Sequence, residues 1–155
     1  MLHIALWEPE IPPNTGNVAR LCAATRSTLH LIEPFGFTLD DKQLKRAGMD
    51  YWRQVEWRRY ANWAAFEKTL PSEAQMWLIE SRGPRLYSDA RFGPEDYLVF
   101  GRETAGLPED LLEAHRERWL RIPMFNPESR SLNLSNCVAI VLFEALRQQG
   151  FSKTS

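Results

Sequence analysis

The residues best suited to chemistry fall in four stretches. In TGNVARLCAAT, Asn17 and Arg20 lie three apart, which puts them side by side on one helical stripe. A lone arginine on a helix is usually solvated. Here it shares a face with Asn17 beside the carboxyl end of a strand, the edge where open α/β sheets collect ligands. The second stretch, FGRETAGLP (100–108), ends a strand with two glycines and a proline. Such clusters are usually turns. Gly101 also lets a ligand press against backbone, which only a residue without Cβ allows. Glu103 is available to cationic charge on a ligand or to fix a neighbouring loop. The third stretch runs from Ile122 to Gln149 and places Ser131, Asn133, Ser135 and Asn136 where a helix begins, as caps for its orphan N–H groups. The fourth, residues 40–60, interleaves Lys42, Lys45, Arg46, Arg53, Arg58 and Arg59 with Tyr51, Trp52, Trp57 and Tyr60. Basic residues take phosphates and aromatic faces stack unpaired bases, so this is the best RNA-contact candidate, extended by Arg130 and Arg147, although composition alone slightly favours a solvated face with core aromatics.

These residues need a scaffold, and the pattern supplies an α/β one. Strands are expected at Leu2–Trp7, Thr28–Ile32, Val55–Trp57, Ala74–Glu80, Tyr97–Phe100 and Trp119–Ile122. Residues 8–13, EPEIPP, hold three prolines and are expected to be neither helix nor central strand. Asn14 or Thr15 then caps a first helix with Val18, Leu21, Cys22 and Thr25 facing the core. Short helices are expected at 41–48, at 63–70 behind Asn62, and from Pro108 to His115, and residues 81–94 read as loop. Alternating short strands and helices indicate a mostly parallel sheet of about six strands flanked by helices, in one domain over 1–155.

The last helix is unusual. From Cys137 to Phe143 it is apolar nearly all round, so most of its sides should be buried. A chain of 155 residues can hardly bury it alone, which implies a threaded topology or a second subunit.

Bulk composition narrows the classes. Apolar residues make up 44% and charged residues 25%, ordinary for a soluble protein, and the formal net charge of −1 gives no global basic field. Any RNA surface must therefore be local. Cys22 and Cys137 suggest neither a disulfide framework nor a zinc site, and fit a reducing compartment. No signal peptide and no membrane-spanning run is visible, so a cytoplasmic location without membrane contact is expected. His3, His30 and His115 show no metal spacing and no acid–base partner, and read as packing or surface. Neither GxGxxG nor GxxxxGK[ST] occurs, which argues against a nucleotide-binding protein of another type.

Three stretches together resemble the ordered motifs of the SPOUT methyltransferases, the trefoil-knotted RNA methylases. Asn14 to Arg20 is similar to the first motif, Phe100 to Pro108 to the second, and PMFNPESRSLNLSNCVAIVLFEA to the third. The opening EPEIPPNTGNVARLCAAT and IEPFGFTLDDKQLKRAGMDYW resemble most closely the TrmL/YibK-type tRNA (cytidine/uridine-34) 2′-O-methyltransferases. The resemblance runs from Met1 to about Phe151. It implies a C-terminal trefoil knot, a homodimer formed through the terminal helices, no metal, and transfer of a methyl group from S-adenosylmethionine to the ribose 2′-hydroxyl of tRNA nucleotide 34. It assigns the cofactor to Ile79, Gly101, Ile122 and Ser131, with Met124 and Leu132 as apolar walls and Glu103 nearby. It assigns chemistry to Arg20, with Asn17 beside it and Asn133 orienting the hydroxyl or the methionine moiety. RNA contact falls to Lys42, Lys45, Arg46, Arg53 and Arg130. Packing alone would explain Ile79 and Ile122, and a turn would explain Ser131. The rivals are a related enzyme acting on ribosomal RNA or another tRNA position, and an RNA-binding protein of the same fold without turnover. The sequence departs from the family at Arg26, where glycine is usual. Arg26 is expected to force a different helix exit or to add positive charge near the RNA.

Overall fold

The computed structural model describes residues 1–38, 52–129 and 131–151. The strands are β1 (His3–Trp7), β2 (Thr28–Ile32), β3 (Trp57–Tyr60), β4 (Met76–Ile79), β5 (Arg85–Leu86), β6 (Tyr97–Phe100) and β7 (Trp119–Arg121). They form one sheet in the order β3-β2-β1-β6-β4-β7-β5, and every strand pairing in it is parallel. The helices are α1 (Pro12–Thr25), α2 (Trp63–Glu67), α3 (Glu109–Ala114) and α4 (Leu134–Gln148).

Alternation along the strands divides the core between two faces. Ile4, Leu6, Leu29, Leu31, Leu98 and Phe100 point to one face, where Val18 and Cys22 of α1 and Val138, Val141 and Leu142 of α4 cover them. Ala5, Ile32, Leu78 and Val99 point to the other, against Phe66 of α2 and Leu112 of α3. Sheets of this kind are buried on both sides, which is why β2, β4 and β6 are buried throughout.

The differences from expectation have local causes. The seventh strand, β5, lies in a stretch read as loop. Two residues carry no period, and Arg85 and Leu86 become a strand only by pairing with Leu120 and Arg121. Strand β3 lies later than Val55–Trp57, because it is an edge whose WRRY sequence is exposed at three of four positions and hides the apolar signal. Pro12 and Pro13, expected outside any helix, form the first turn of α1. Their missing N–H groups are ones that a helix start leaves unbonded, and their fixed φ suits helix. Helix α2 stops at Glu67, short of residue 70, although Asn62 caps it as expected by accepting from Ala65 N–H at 2.9 Å. The helix expected at 41–48 lies outside the described residues.

Arg26 does not redirect the chain. It adopts φ 55° and ψ 37°, the left-handed geometry a glycine would take, and Ser27 N–H donates to Cys22 carbonyl at 3.0 Å. This is the Schellman closure of α1, reached with a side chain present. Helix α4 is less enclosed than expected. Val138, Val141, Leu142 and Ala145 are fully buried, but Phe143 is 46% exposed, so the chain by itself leaves one apolar side open.

His30 is buried, as the packing expectation had it, but His3 and His30 also have hydrogen-bond partners that their spacing does not show. His3 Nδ1 lies 2.9 Å from His30 Nε2, and His30 Nδ1 lies 2.8 Å from the Tyr60 hydroxyl. Burial disfavours the charged ring, with help from His3 and Arg58, and holds the His30 pKa down at about 3.

Candidate active site

Strands β4, β6 and β7 end together, and a cleft of about 290 Å³ opens over their carboxyl ends. Three chain segments build its walls. Ile79 at the end of β4 is followed by Glu80 and Arg82, and after β6 come Gly101 to Gly106. After β7, Ile122, Met124, Ser131 and Leu132 close the third side, backed by Leu134 and Cys137 from the first turn of α4. All seven residues expected to meet the cofactor line this one cleft: Ile79, Gly101, Glu103, Ile122, Met124, Ser131 and Leu132. Aliphatic walls with loop backbone between them and a few carboxylates suit a nucleoside joined to an amino acid. The volume lies at the small end of ligand sites.

The second stretch is folded back on itself. Arg102 and Gly106 exchange backbone hydrogen bonds at 3.2 and 2.9 Å, and Gly106 has φ +65°. A Cβ on Gly101 would stand 2.3 Å from the Gly106 carbonyl carbon and 2.4 Å from Leu107 N. The backbone that demands glycine at 101 is thus the chain's own, besides any ligand in the cleft.

Glu103 sits at the junction with α1. Its Oε1 accepts from Glu10 N–H at 3.0 Å, and its Oε2 accepts from Ile11 N–H at 2.7 Å and from Asn14 Nδ2 at 3.3 Å. The N-cap of α1 is Ile11, whose side chain cannot cap. Glu103 supplies that cap from 92 residues away, and its charge faces the positive end of the helix dipole. The tie is reciprocal. Glu10 Oε1 accepts from Thr104 N–H at 3.0 Å and from Thr104 hydroxyl at 2.8 Å, and these donors pull the Glu10 carboxyl below its usual pKa. Of the two expectations for Glu103, these bonds display the loop-fixing one, while the residue also borders the cleft.

Asn133 is the N-cap of α4. Its Oδ1 accepts from Ser135 N–H at 2.9 Å and from Ser135 hydroxyl at 2.6 Å, while its Nδ2 donates to Asn14 Oδ1 at 3.0 Å. Asn14 therefore joins all three motifs, through Glu103 on one side and Asn133 on the other. Asn17 and Arg20 stand on the exposed stripe of α1, as their spacing predicts, and neither borders the cleft. Of the RNA-contact candidates, Arg53 is exposed, and Lys42, Lys45, Arg46 and Arg130 lie outside the described residues. Near Arg53, Arg58 pairs with Glu56 at 3.1 Å and Arg59 pairs with Glu33 at 2.6 Å.

Sequence reading missed the charges at the cleft mouth. Glu80 accepts from Ser81 hydroxyl at 2.9 Å and pairs with Arg82 at 3.5 Å, and Arg82 reaches Glu109 at 2.7 Å. Their position directly after a buried strand is the signal that points to them. Glu10 was missed as well, because its partner lies in a distant segment. Among the described residues no cluster of His, Cys, Asp and Glu could hold a metal, and no helix is long and apolar enough to cross a membrane.

Known proteins align with this arrangement. Residues 1–143 match the SpoU rRNA Methylase family. A tRNA (cytidine(34)-2'-O)-methyltransferase of Saccharophagus degradans is 51% identical over 98% of each chain. One of Burkholderia ambifaria is 52% identical over 97% of each chain. A solved structure described as giving insight into 2-OH methylation of C/U34 on tRNA superposes with TM-score 0.92, at 48% identity and 97% coverage of each chain. A match over 143 residues, more than nine-tenths of the chain, makes this chain a member of the SpoU methylase family.

Proposed function

We propose that this chain transfers a methyl group from S-adenosylmethionine to the ribose 2′-hydroxyl of the wobble nucleotide 34, a cytidine or modified uridine, of leucine-accepting tRNA. One observation carries the reading: the residues that the family resemblance assigns to the cofactor converge on one cleft at the carboxyl edge of the sheet. The names of relatives about 50% identical support the substrate.

The sulfonium of the cofactor, when bound, supplies an activated methyl carbon. The protein's share is placement. Ile79, Ile122, Met124 and Leu132 wall the nucleoside, and the backbone around Gly101 and Ser131 fixes its polar edges. Holding the ribose oxygen in line with the methyl carbon lowers the barrier by roughly 7–11 kcal/mol. A guanidinium does not give up its proton in proteins, so Arg20 does not serve as the base. It grips the adjacent phosphate or stabilises the developing alkoxide, with Asn17 beside it. Since Arg20 and Asn17 stand outside the cleft of their own chain, the productive site is read as shared in a homodimer. The half-exposed apolar side of α4 around Phe143 is the natural contact. In this reading the 1–155 chain is one knotted domain in the cytoplasm, and RNA is held by Lys42, Lys45, Arg46, Arg53 and Arg130.

Ribose-methylation mapping of total tRNA, with and without the protein, tests the reaction. Loss at nucleotide 34 of a leucine isoacceptor is expected. An unchanged tRNA pattern with a loss in ribosomal RNA would overturn it in favour of the second reading, which the family's own description suggests. For the residue, Arg20→Ala should abolish methylation while S-adenosylhomocysteine still binds. Near wild-type turnover would reject its role.

A further inference from the structure

Phe125 is 93% exposed, while the other exposed large hydrophobic side chains among the described residues lie between 36% and 46%. Its neighbour Met124 lines the cleft. The loop that presents it is built rather than slack. Glu128 N–H donates to Asn126 Oδ1 at 3.0 Å, and Ser129 N–H donates to Asn126 carbonyl at 3.0 Å, so a turn immediately after Phe125 sets where the ring stands. An aromatic ring held in water one residue along the chain from a cleft-lining side chain has lost contact area that folding would normally use.

The chemistry at the cleft says what meets it. A ribose 2′-oxygen attacking a methyl carbon must come within about 3–3.5 Å of it. The base hangs from C1′, the neighbour of the carbon that bears that oxygen, so a ribose delivered to the cleft brings its base close to the cleft mouth. Every base offers a π face, and aromatic side chains in RNA-binding proteins stack on unpaired bases. We propose that Phe125 stacks on the base of the nucleotide being methylated and thereby positions its ribose over the cleft. This rests on the reading of the cleft as a ribose-methylating site. Stacking tolerates either pyrimidine, so Phe125 places the nucleotide without choosing between cytidine and uridine.

The test uses the full-length protein, unmodified tRNA and tRNA with an abasic site at the target nucleotide. Phe125→Ala should raise KM for tRNA about tenfold, equivalent to about 1.4 kcal/mol, the scale of one base–aromatic stack. Affinity for S-adenosylhomocysteine should stay unchanged, Phe125→Trp should restore KM, and the penalty should vanish on the abasic tRNA. An equal penalty on abasic tRNA, or none on intact tRNA, would overturn the proposal while leaving the methylase reading standing. A shift of Phe125→Ala to a smaller species in sedimentation would also overturn it, by making the ring a contact between two copies. A wild-type protein that methylates no tRNA would instead sink the reading beneath it.

Discussion

Removing the Glu103 carboxylate is the sharpest perturbation, because the two expected roles give opposite signatures. The carboxylate holds the N–H groups of Glu10 and Ile11 at 3.0 and 2.7 Å. A hydrogen bond to a charged group contributes about 1.5–3 kcal/mol when sheltered. The Ile11 contact is exposed and the Glu10 contact partly buried, so each falls toward or below the low end. The charge at the start of α1 adds about 0.3–1 kcal/mol. Glu103→Ala should therefore cost about 2–3 kcal/mol, read by urea unfolding, or a fall in Tm of roughly 5–10 °C for a domain of this size. Glu103→Gln keeps one acceptor oxygen and should lose about half as much. Because the same tie positions the 101–106 loop, affinity for S-adenosylhomocysteine should fall in step with stability. If Glu103→Ala unfolds within about 0.5 kcal/mol of wild type, the cap argument fails. If Glu103→Gln keeps its stability but loses tenfold or more in ligand affinity, the carboxylate serves the cofactor directly.

Two more outcomes follow from the backbone and the buried histidines. Arg26→Gly should stabilise the protein by about 0.5–1 kcal/mol in urea unfolding, since a side chain in the left-handed region costs about 1–2 kcal/mol and glycine returns part of that as unfolded-state entropy. The pH dependence has a definite sign. His30 has a folded pKa near 3 against 6.5 unfolded, so the unfolded chain binds the extra proton between those values. Stability is fully present above pH 6.5 and falls below it by up to about 1.4 kcal/mol per pH unit. His30→Gln should flatten the slope of unfolding free energy against pH between 6.5 and 5 by one proton's worth, and an unchanged slope would refute the assignment.

Sequence reading went furthest where a residue's role is local. Helix α1 shows its stripes in the 3.6-residue period, so the spacing alone puts Asn17 and Arg20 side by side, while only the fold shows that they stand exposed and off the cleft. Strands β2, β4 and β6 show as apolar runs because both faces of a parallel sheet are covered. The cleft residues came from the family resemblance, since nothing in the periodicity distinguishes Ile79 or Ile122 from core.

Other features belong only to the folded chain, because their partners are far apart in sequence. Strand β5 exists through its bonds to β7. Gly101 must be glycine because Gly106 folds over it, and α1 is capped by an acid that follows β6. The histidine pair forms because β1 and β2 run parallel in a register that sets His30 beside Ala5 and brings it to His3. Sequence spacing carries information about neighbours along the chain, whereas these contacts depend on the order in which strands enter the sheet. That order decided that the three motifs share one edge, with Asn14 bonded to both Glu103 and Asn133.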